Sequence, residues 1–127
     1  MIGIEHIGIF SKDSAALKDW YIKLFGWKQV YDNGKGTYFL AADDGTMVEF
    51  CMAKEDGGIW DASASGIRHI AISVDDFEGT VEKVCKIGAE IVTEAVLNDK
   101  GVGTMFFRDP DGNILHLIYR EKPLYQT

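Results

Sequence analysis

The sequence predicts an α+β fold built from two βαβββ modules, and two observations lead to this prediction. One is an internal repeat: the segment Ile4–Phe10 reads IEHIGIF, and the segment Ile67–Ser73 reads IRHIAIS. A second aligned pair follows in the same order, YFLAADDGTMVEFC from Tyr38 and MFFRDPDGNILHLI from Met105. The other observation is that each half shows the same succession of one strand, one helix and three strands.

The first module is predicted to span residues 1–53. It begins with an alternating, β-branched strand at Ile2–Phe10. A helix follows at Ser11–Phe25, with Ser11 or Asp13 as its N-cap and Gly26 at its end. The apolar stripe of this helix is predicted to contain Leu17, Trp20, Leu24 and Phe25. The three remaining strands are predicted at Trp27–Tyr31, Thr37–Ala42 and Thr46–Met52.

The second module is predicted to span residues 67–127, after a linker at 54–66 that is rich in small and polar residues. Its first strand is Arg68–Val74, and its helix runs from Asp75 or Asp76 to Gly88. Its other strands are predicted at Ala89–Glu94, Gly103–Arg108 and Asn113–Arg120. We therefore expect a single domain of two modules.

All three histidines of the chain, together with one glutamate, fall on one face of the predicted sheet. Side chains alternate across a strand, and the bulky branched residues of each strand should pack on the helices. The polar residues left on the opposite face are His6, Glu49, His69 and His116. The same face carries a mostly apolar set that predicts a small-molecule pocket. This set is Phe10, Met47, Cys51, Ser73, Ile114 and Ile118.

This combination of side chains indicates a metal site. Three imidazole nitrogens and one carboxylate oxygen in an apolar cup suit a borderline divalent metal such as Zn, Ni, Co or Fe(II). A single histidine in a strand is more often a packed or surface residue, so the prediction depends on the joint pattern. His116 has two further interpretations, as a residue that supports the ligands or as a general base.

Composition excludes several classes of function. The 127 residues suffice for one domain with a core of its own. The net charge of -7 argues against nucleic acid or an anionic membrane as a partner. No apolar run approaches the roughly 18 residues of a membrane-spanning helix. The two cysteines, Cys51 and Cys85, have no CxxC spacing, which indicates reduced thiols and a cytoplasmic protein.

Four segments carry a family resemblance: IEHIGIF at the start, then WYIKLFGW, IRHIAISV and, near the end, FRDPDGNILHL. On these segments the chain resembles the vicinal oxygen chelate superfamily, which includes glyoxalase I, bleomycin-resistance proteins and extradiol dioxygenases. The resemblance covers nearly the whole chain. The Asp-Pro-Asp-Gly-Asn turn before the final strand is its most specific part.

The resemblance implies two modules that form one curved mixed sheet around a divalent metal. Family ligands lie in the first and last strands of each module, at positions matched here by His6, Glu49, His69 and His116. It further implies a homodimer, in which His6 and Glu49 meet His69 and His116 either within one chain or across the subunit interface. The implied activity is that of a metal-dependent lyase or isomerase of glyoxalase type, with Ni, Zn or Co as the metal and Fe(II) or Mn as alternatives. In that mechanism the metal binds two oxygens of a small substrate, and Glu49 transfers the proton through an enediolate.

Three positions differ from the family pattern. The ligand in the final strand is usually Glu in metal-dependent members and is His116 here, which moves the base role to Glu49 or removes it. Glyoxalase I commonly has Arg at the position of Phe10, and it often has Asn at the position of Ala53. These two differences argue against glutathione specificity.

Two other functions stay open. His6, His69 and Glu49 form a two-histidine, one-carboxylate set, which suits an Fe(II)-dependent extradiol-type dioxygenase. A fourth protein ligand at His116 would occupy a position that oxygen or substrate needs. The non-enzymatic alternative is a resistance protein that sequesters a small molecule or antibiotic, although such members usually lack the metal set.

Overall fold

The computed structural model describes residues 1–57 and 63–125, and the chain forms two compact units, Met1–Ile59 and Trp60–Thr127. Each unit contains one βαβββ module, so the predicted architecture is confirmed. We call the two units module 1 and module 2. Residues 58–62 of the predicted linker lie outside the described part of the chain. No helix among the described residues is long and apolar enough to cross a membrane.

Module 1 forms a four-stranded mixed sheet with one helix. Its elements are β1 (His6–Ser11), α1 (Ser14–Phe25), β2 (Lys28–Asp32), β3 (Tyr38–Ala41) and β4 (Met47–Met52). The strand order is β1-β4-β3-β2. The β1 and β4 strands are parallel, and the other neighbours are antiparallel.

Module 2 repeats this topology. Its elements are β5 (Ile70–Ser73), α2 (Phe77–Lys86), β6 (Glu90–Leu97), β7 (Val102–Arg108) and β8 (Ile114–Arg120). The strand order is β5-β8-β7-β6, with β5 and β8 parallel and the remaining pairs antiparallel. In both modules, therefore, the first and last strands are direct neighbours. This adjacency brings their side chains together.

The first strand and the first helix both begin later than the sequence predicts. The β1 strand begins at His6 rather than Ile2, because its ladder with β4 starts at the pair His6 and Met47. The α1 helix begins at Ser14, because Ser11 is still the last residue of β1. Asp13 is the N-cap, and its carboxylate accepts a hydrogen bond from the backbone N–H of Ala16 at 3.0 Å. At the other end, Gly26 takes the predicted left-handed cap conformation, with a φ of 69°.

Tyr21, and not the predicted Trp20, is the aromatic residue of α1 at the centre of the module 1 core. Tyr21 is completely buried, and its ring centroid lies 4.9 Å from that of Phe50 on β4. Trp20 is only half-buried. The buried residues of α1 recur every three or four positions, which is the spacing of one helix face. They are Ser14, Leu17, Tyr21 and Leu24.

The core of module 2 lies between α2 and one face of its sheet. Phe77 and Val84 are the buried residues of the helix. On β8, Leu115 and Leu117 are fully buried, whereas His116 between them is half-buried. Because side chains alternate along a strand, His116 lies on the face opposite the helix, as the sequence predicts.

Candidate metal centre

Module 1 brings its two predicted ligands together. His6 is the first residue of β1, and Glu49 lies in the neighbouring strand β4, directly opposite Gly8. The Nε2 atom of His6 is 3.8 Å from Oε1 of Glu49. This distance is too long for a hydrogen bond and allows a cation to contact both atoms. Both side chains are partly exposed, with 36% of His6 and 27% of Glu49 accessible.

The second ring nitrogen of His6 has its own partner. Nδ1 of His6 lies 2.8 Å from Oε1 of Glu5, the preceding residue. A carboxylate can only accept a hydrogen bond, so in this contact Nδ1–H is the donor. The lone pair of neutral His6 is therefore on Nε2, the nitrogen that faces Glu49.

Gly8 leaves the space that the Glu49 carboxylate uses. A Cβ atom built on Gly8 would lie 3.3 Å from Oε1 of Glu49, which is closer than an ordinary van der Waals contact. The equivalent residue of module 2 is Ala71, which pairs with His116 in the parallel ladder of β5 and β8. In each module, therefore, a small residue lies opposite the ligand in the last strand. The sequence alone does not identify Gly8 as part of the site.

Module 2 brings together the other two predicted ligands. The ring centroids of His69 and His116 are 5.0 Å apart, and the rings are nearly perpendicular, at 87°. His69 directly precedes β5, and His116 lies in the adjacent strand β8. The topology that pairs His6 with Glu49 in module 1 therefore pairs His69 with His116 in module 2.

Several nitrogens of this histidine pair are buried without a hydrogen bond. Among the described residues, Nδ1 of His69 and both ring nitrogens of His116 have no hydrogen-bond partner. Buried polar atoms are normally paired, because an unpaired one has lost its hydration without compensation. In the neutral form one nitrogen of each ring carries the proton, and the other presents a lone pair that fits the requirement of a metal ligand.

Both histidines of module 2 are held in the neutral form. Burial lowers the pKa of His69, and the nearby positive charge of Arg68 lowers it further. Burial is also the main cause of the lowered pKa of His116, followed by His69, Arg120 and Arg68. Since only the neutral imidazole binds a metal, the lowered pKa values favour metal binding at neutral pH and below.

Two phenylalanines support the histidines and were not predicted. The ring of Phe106 stacks on His116, with centroids 4.1 Å apart and an angle of 13°, and its edge contact with His69 is 5.3 Å. Phe39 makes the corresponding edge contact with His6 at 5.1 Å. The repeat alignment that matches Glu49 with His116 also matches Phe39 with Phe106. That match was the available signal for these two residues.

A shallow apolar hollow lies beside the His6–Glu49 pair in module 1. Its volume is about 260 Å³, and it is lined by Val30, Tyr31, Phe39 and Met47. Met47 was predicted as a pocket residue. The other three lie on β2 and β3, two strands in which the sequence predicts no pocket residue. The hollow is large enough for one aromatic ring, since cavities of roughly 150 Å³ hold benzene.

The other predicted pocket residues differ in exposure. Phe10 and Ser73 are exposed, Cys51 and Ile118 are half-buried, and Ile114 is buried. Phe10 and Cys51 are opposite each other in the ladder of β1 and β4. Burial raises the pKa of the Cys51 thiol, and the neighbouring Glu49 adds to the effect. Cys51 is therefore a protonated thiol at neutral pH.

The donors are grouped in twos. Among the described residues, no three or more His, Cys, Asp or Glu side chains are close enough together to hold one metal ion. The structure thus places His6 with Glu49, and His69 with His116, each pair within its own module. In module 2 the buried ring nitrogens have no hydrogen-bond partner among the described residues, and in module 1 an imidazole lies beside a carboxylate, so the donor types fit a divalent cation.

Comparison with known proteins gives one family and several similar folds. The family model described as Glyoxalase/Bleomycin resistance protein/Dioxygenase superfamily matches residues 3–117. The chain is 25% identical over 117 residues to biphenyl-2,3-diol 1,2-dioxygenase 3 of Rhodococcus globerulus. That match covers 90% of this chain and 61% of the relative, so the chain spans about three fifths of the relative's length.

Two solved structures illustrate the similarity of fold. Lactoylglutathione lyase from Agrobacterium tumefaciens superposes with a TM-score of 0.70 at 16% identity, over 94% of each chain. A mutant of the fosfomycin resistance protein FosX from Listeria monocytogenes, complexed with Mn(II) and a dihydroxypropylphosphonic acid, has a TM-score of 0.74 at 17% identity. This second match covers 98% of this chain and 93% of the other.

Proposed function

Since the chain belongs to the Glyoxalase/Bleomycin resistance protein/Dioxygenase superfamily, we propose that it is a metal-dependent lyase or isomerase of glyoxalase type. The superfamily includes enzymes such as lactoylglutathione lyase. The observation that carries the proposal is the pairing of His6 with Glu49 and of His69 with His116 at equivalent places of the two modules. The unpaired buried nitrogens of the second pair support it.

In this proposal His6 with Glu49, and His69 with His116, supply the ligands of a divalent metal ion. A set of three imidazole nitrogens and one carboxylate oxygen suits Zn, Ni or Co, with Fe(II) and Mn(II) as alternatives. The Mn(II) in the FosX complex is consistent with a divalent ion in a protein of this fold. When bound, the metal supplies Lewis-acid polarisation to the oxygens of a chelating substrate.

Glu49 is the proposed base. Its carboxylate is partly exposed, and Gly8 leaves room for it to move. It takes the proton from the hydroxyl-bearing carbon next to the substrate carbonyl and returns it to the carbonyl carbon. The hydroxyl proton passes to the former carbonyl oxygen, so that the net reaction is an isomerisation. His116, whose pKa is lowered, is neutral at pH 7 and is assigned to metal binding rather than to this step.

The surroundings of the His6–Glu49 pair favour a small substrate with an apolar substituent. The residues that line the adjacent hollow, Val30, Tyr31, Phe39 and Met47, include no charged side chain. A hollow of about 260 Å³ accommodates a ring or a short branched chain. It offers no cation to the carboxylates of glutathione, so we propose a smaller thiol adduct or another oxygen-chelating molecule as the substrate.

The test follows proton transfer directly. Metal-loaded protein is incubated in D₂O with the hemithioacetals that phenylglyoxal forms with 2-mercaptoethanol or with glutathione, and NMR monitors conversion to the hydroxyacid thioester. We expect conversion of the 2-mercaptoethanol adduct, and a loss of roughly 100-fold or more in Glu49→Gln. The matched control is Glu94→Gln, an exposed glutamate on β6. Unchanged turnover in Glu49→Gln would exclude the base role.

An Fe(II)-dependent dioxygenase is the second candidate, favoured by the 25% identity to a biphenyl-diol dioxygenase. His6, His69 and Glu49 would then be the two-histidine, one-carboxylate set. The discriminating measurement is oxygen consumption by anaerobically Fe(II)-loaded protein with 2,3-dihydroxybiphenyl. In the dioxygenase, His116→Ala keeps the activity because the triad is intact, whereas in the lyase the same variant loses metal.

We also propose a cytoplasmic homodimer. The two cysteines, Cys51 and Cys85, are free thiols, which favours a reducing compartment. The β6 strand exposes the apolar side chains of Val92, Val96 and Leu97, and an exposed apolar sheet edge favours association. Light scattering on the purified protein measures the oligomeric state.

A further inference from the structure

The equivalent histidines of the two modules are preceded by residues of opposite charge. Glu5 precedes His6, and Arg68 precedes His69 at the same position of the repeat. The Glu5 carboxylate contacts His6, with Oε1 2.8 Å from Nδ1. The Arg68 guanidinium instead lies 5.8 Å from the ring of Phe106. In the part of the chain that the structure describes, the preceding carboxylate therefore contacts the first histidine of module 1, whereas module 2 has a guanidinium at that position.

The contact with Glu5 has a consequence for which nitrogen of His6 can bind a cation. A neutral imidazole carries its proton on one nitrogen and its lone pair on the other. A carboxylate next to Nδ1 stabilises the tautomer with the proton on Nδ1, which leaves the lone pair on Nε2. Nε2 is the atom that lies 3.8 Å from Glu49. A histidine without such a partner divides its population between the two tautomers and between ring orientations.

We propose that Glu5 is a positioning residue, which holds His6 in the Nδ1–H tautomer and directs its Nε2 lone pair toward the metal position beside Glu49. The inference rests on the proposed metal-dependent function, and it adds a residue that belongs to neither the predicted ligands nor the pocket. Carboxylates that accept the second N–H of a ligating histidine typically contribute 10–100-fold to metal affinity. In module 2, Arg68 cannot accept a hydrogen bond, so we expect no equivalent contribution there.

The first experiment determines the tautomer in the metal-free protein. Long-range ¹⁵N–¹H correlation spectra at pH 8 identify the protonated nitrogen of His6 in the wild type, Glu5→Gln, Glu5→Ala and Arg68→Gln. We expect Nδ1–H in the wild type and in Glu5→Gln, because the amide oxygen still accepts the hydrogen bond. In Glu5→Ala we expect a substantial Nε2–H population. A wild-type His6 in the Nε2–H form, or an unchanged tautomer in Glu5→Ala, would overturn the proposal.

The second experiment measures the Kd for Zn(II) or Ni(II) by competition with a chromophoric chelator. Glu5→Ala is expected to raise the Kd roughly 10–100-fold, Glu5→Gln less, and Arg68→Gln less than about twofold. The Glu5 side chain is 72% exposed and precedes β1, so circular dichroism should show an unchanged fold in each variant.

The two experiments separate this inference from the proposed function. If the wild type binds metal and Glu5→Ala has the same Kd, the positioning role is wrong while the metal site stands. If the wild type binds no metal, the proposed function fails, and the role of Glu5 toward the metal fails with it whatever the tautomer is.

Discussion

Gly8 illustrates how closely a single residue is matched to its neighbour in this site. It pairs with Glu49 between the parallel strands β1 and β4, and an added Cβ would lie 3.3 Å from the Glu49 carboxylate. Its φ is not positive, so alanine is acceptable to the backbone there. Any effect of Gly8→Ala therefore reports on the side chain of Glu49 and not on backbone strain.

We expect Gly8→Ala to weaken metal binding roughly tenfold, the lower end of the effect of disturbing a ligand's support. The reason is that the carboxylate must shift to relieve the close contact. The measurement is the Kd for Zn(II) or Ni(II) by chelator competition. Ala71→Gly at the equivalent place in module 2 is the control, with an expected change below about twofold. Equal Kd values for Gly8→Ala and the wild type would contradict this interpretation of the close contact.

The sequence predicts the polar residues of the site better than it predicts the residues that contact them. His6, Glu49, His69 and His116 stand out because polar side chains are rare on a strand face that is otherwise apolar. Phe39 and Phe106 do not stand out, since an aromatic residue in a strand is most simply read as core. Glu5 was also missed, because its contact depends on a side-chain conformation that no spacing rule specifies.

The turn that precedes β8 is the element on which the placement of His116 depends. Asp109 is only 4% exposed. Its carboxylate accepts hydrogen bonds from the backbone N–H groups of Asp111 and Asn113, both at 2.9 Å, and from the side-chain amide of Asn113 at 2.8 Å. The backbone of Asp109 and Asn113 is also hydrogen-bonded. A buried carboxylate thus closes the hairpin of β7 and β8.

We expect Asp109→Ala to lower the free energy of unfolding by at least about 2 kcal/mol, since each hydrogen bond to a charged group contributes roughly 1.5–3 kcal/mol. The equivalent turn of module 1 provides the control. Its Asp44 is exposed and accepts from the N–H and the hydroxyl of Thr46. Urea unfolding of Asp109→Ala and Asp44→Ala measures both, and we expect the smaller loss in Asp44→Ala. Equal losses of unfolding free energy would mean that the burial of Asp109 does not strengthen its hydrogen bonds.

Element types follow from the sequence here, whereas their ends do not. The period-2 and period-3.6 patterns identify every strand and both helices. The start of β1 depends on where β4 begins, and the start of α1 depends on where β1 ends, so both limits are set by partners distant in sequence. The sequence predicts Trp20 in the core, whereas the structure places Tyr21 there. The cause is similar, because two adjacent aromatic residues compete for one place against Phe50.

The stability of the whole protein should fall as the pH decreases below neutrality. The pKa values of His69 and His116 are lowered in the folded state, chiefly by burial. Near pH 7 and above, these groups are neutral in both states and contribute no pH dependence. Below the ordinary histidine pKa of about 6.5, the unfolded chain binds protons that the folded chain does not, so the free energy of unfolding declines.

The measurement is urea unfolding of the metal-free protein between pH 7 and pH 5, with a chelator present. We expect a clear decrease in the wild type and a smaller one in His116→Phe, which has an aromatic ring to stack on Phe106. The lowered pKa of Asp44 acts in the same direction but at lower pH, because its ordinary value is 3.8. An equal decrease in His116→Phe would contradict the assignment of this pH dependence to His116.

For the whole molecule, the main proposal is that His6, Glu49, His69 and His116 are ligands of a divalent metal ion. It is tested most directly by the metal content per chain of untagged protein after loading with Zn, Ni or Co, for the wild type, His6→Ala and His116→Ala. We expect about one equivalent in the wild type and its loss in both variants, since imidazole and carboxylate groups are donors that bind these metals. A wild type that binds no metal, or a full equivalent retained in either variant, would contradict it.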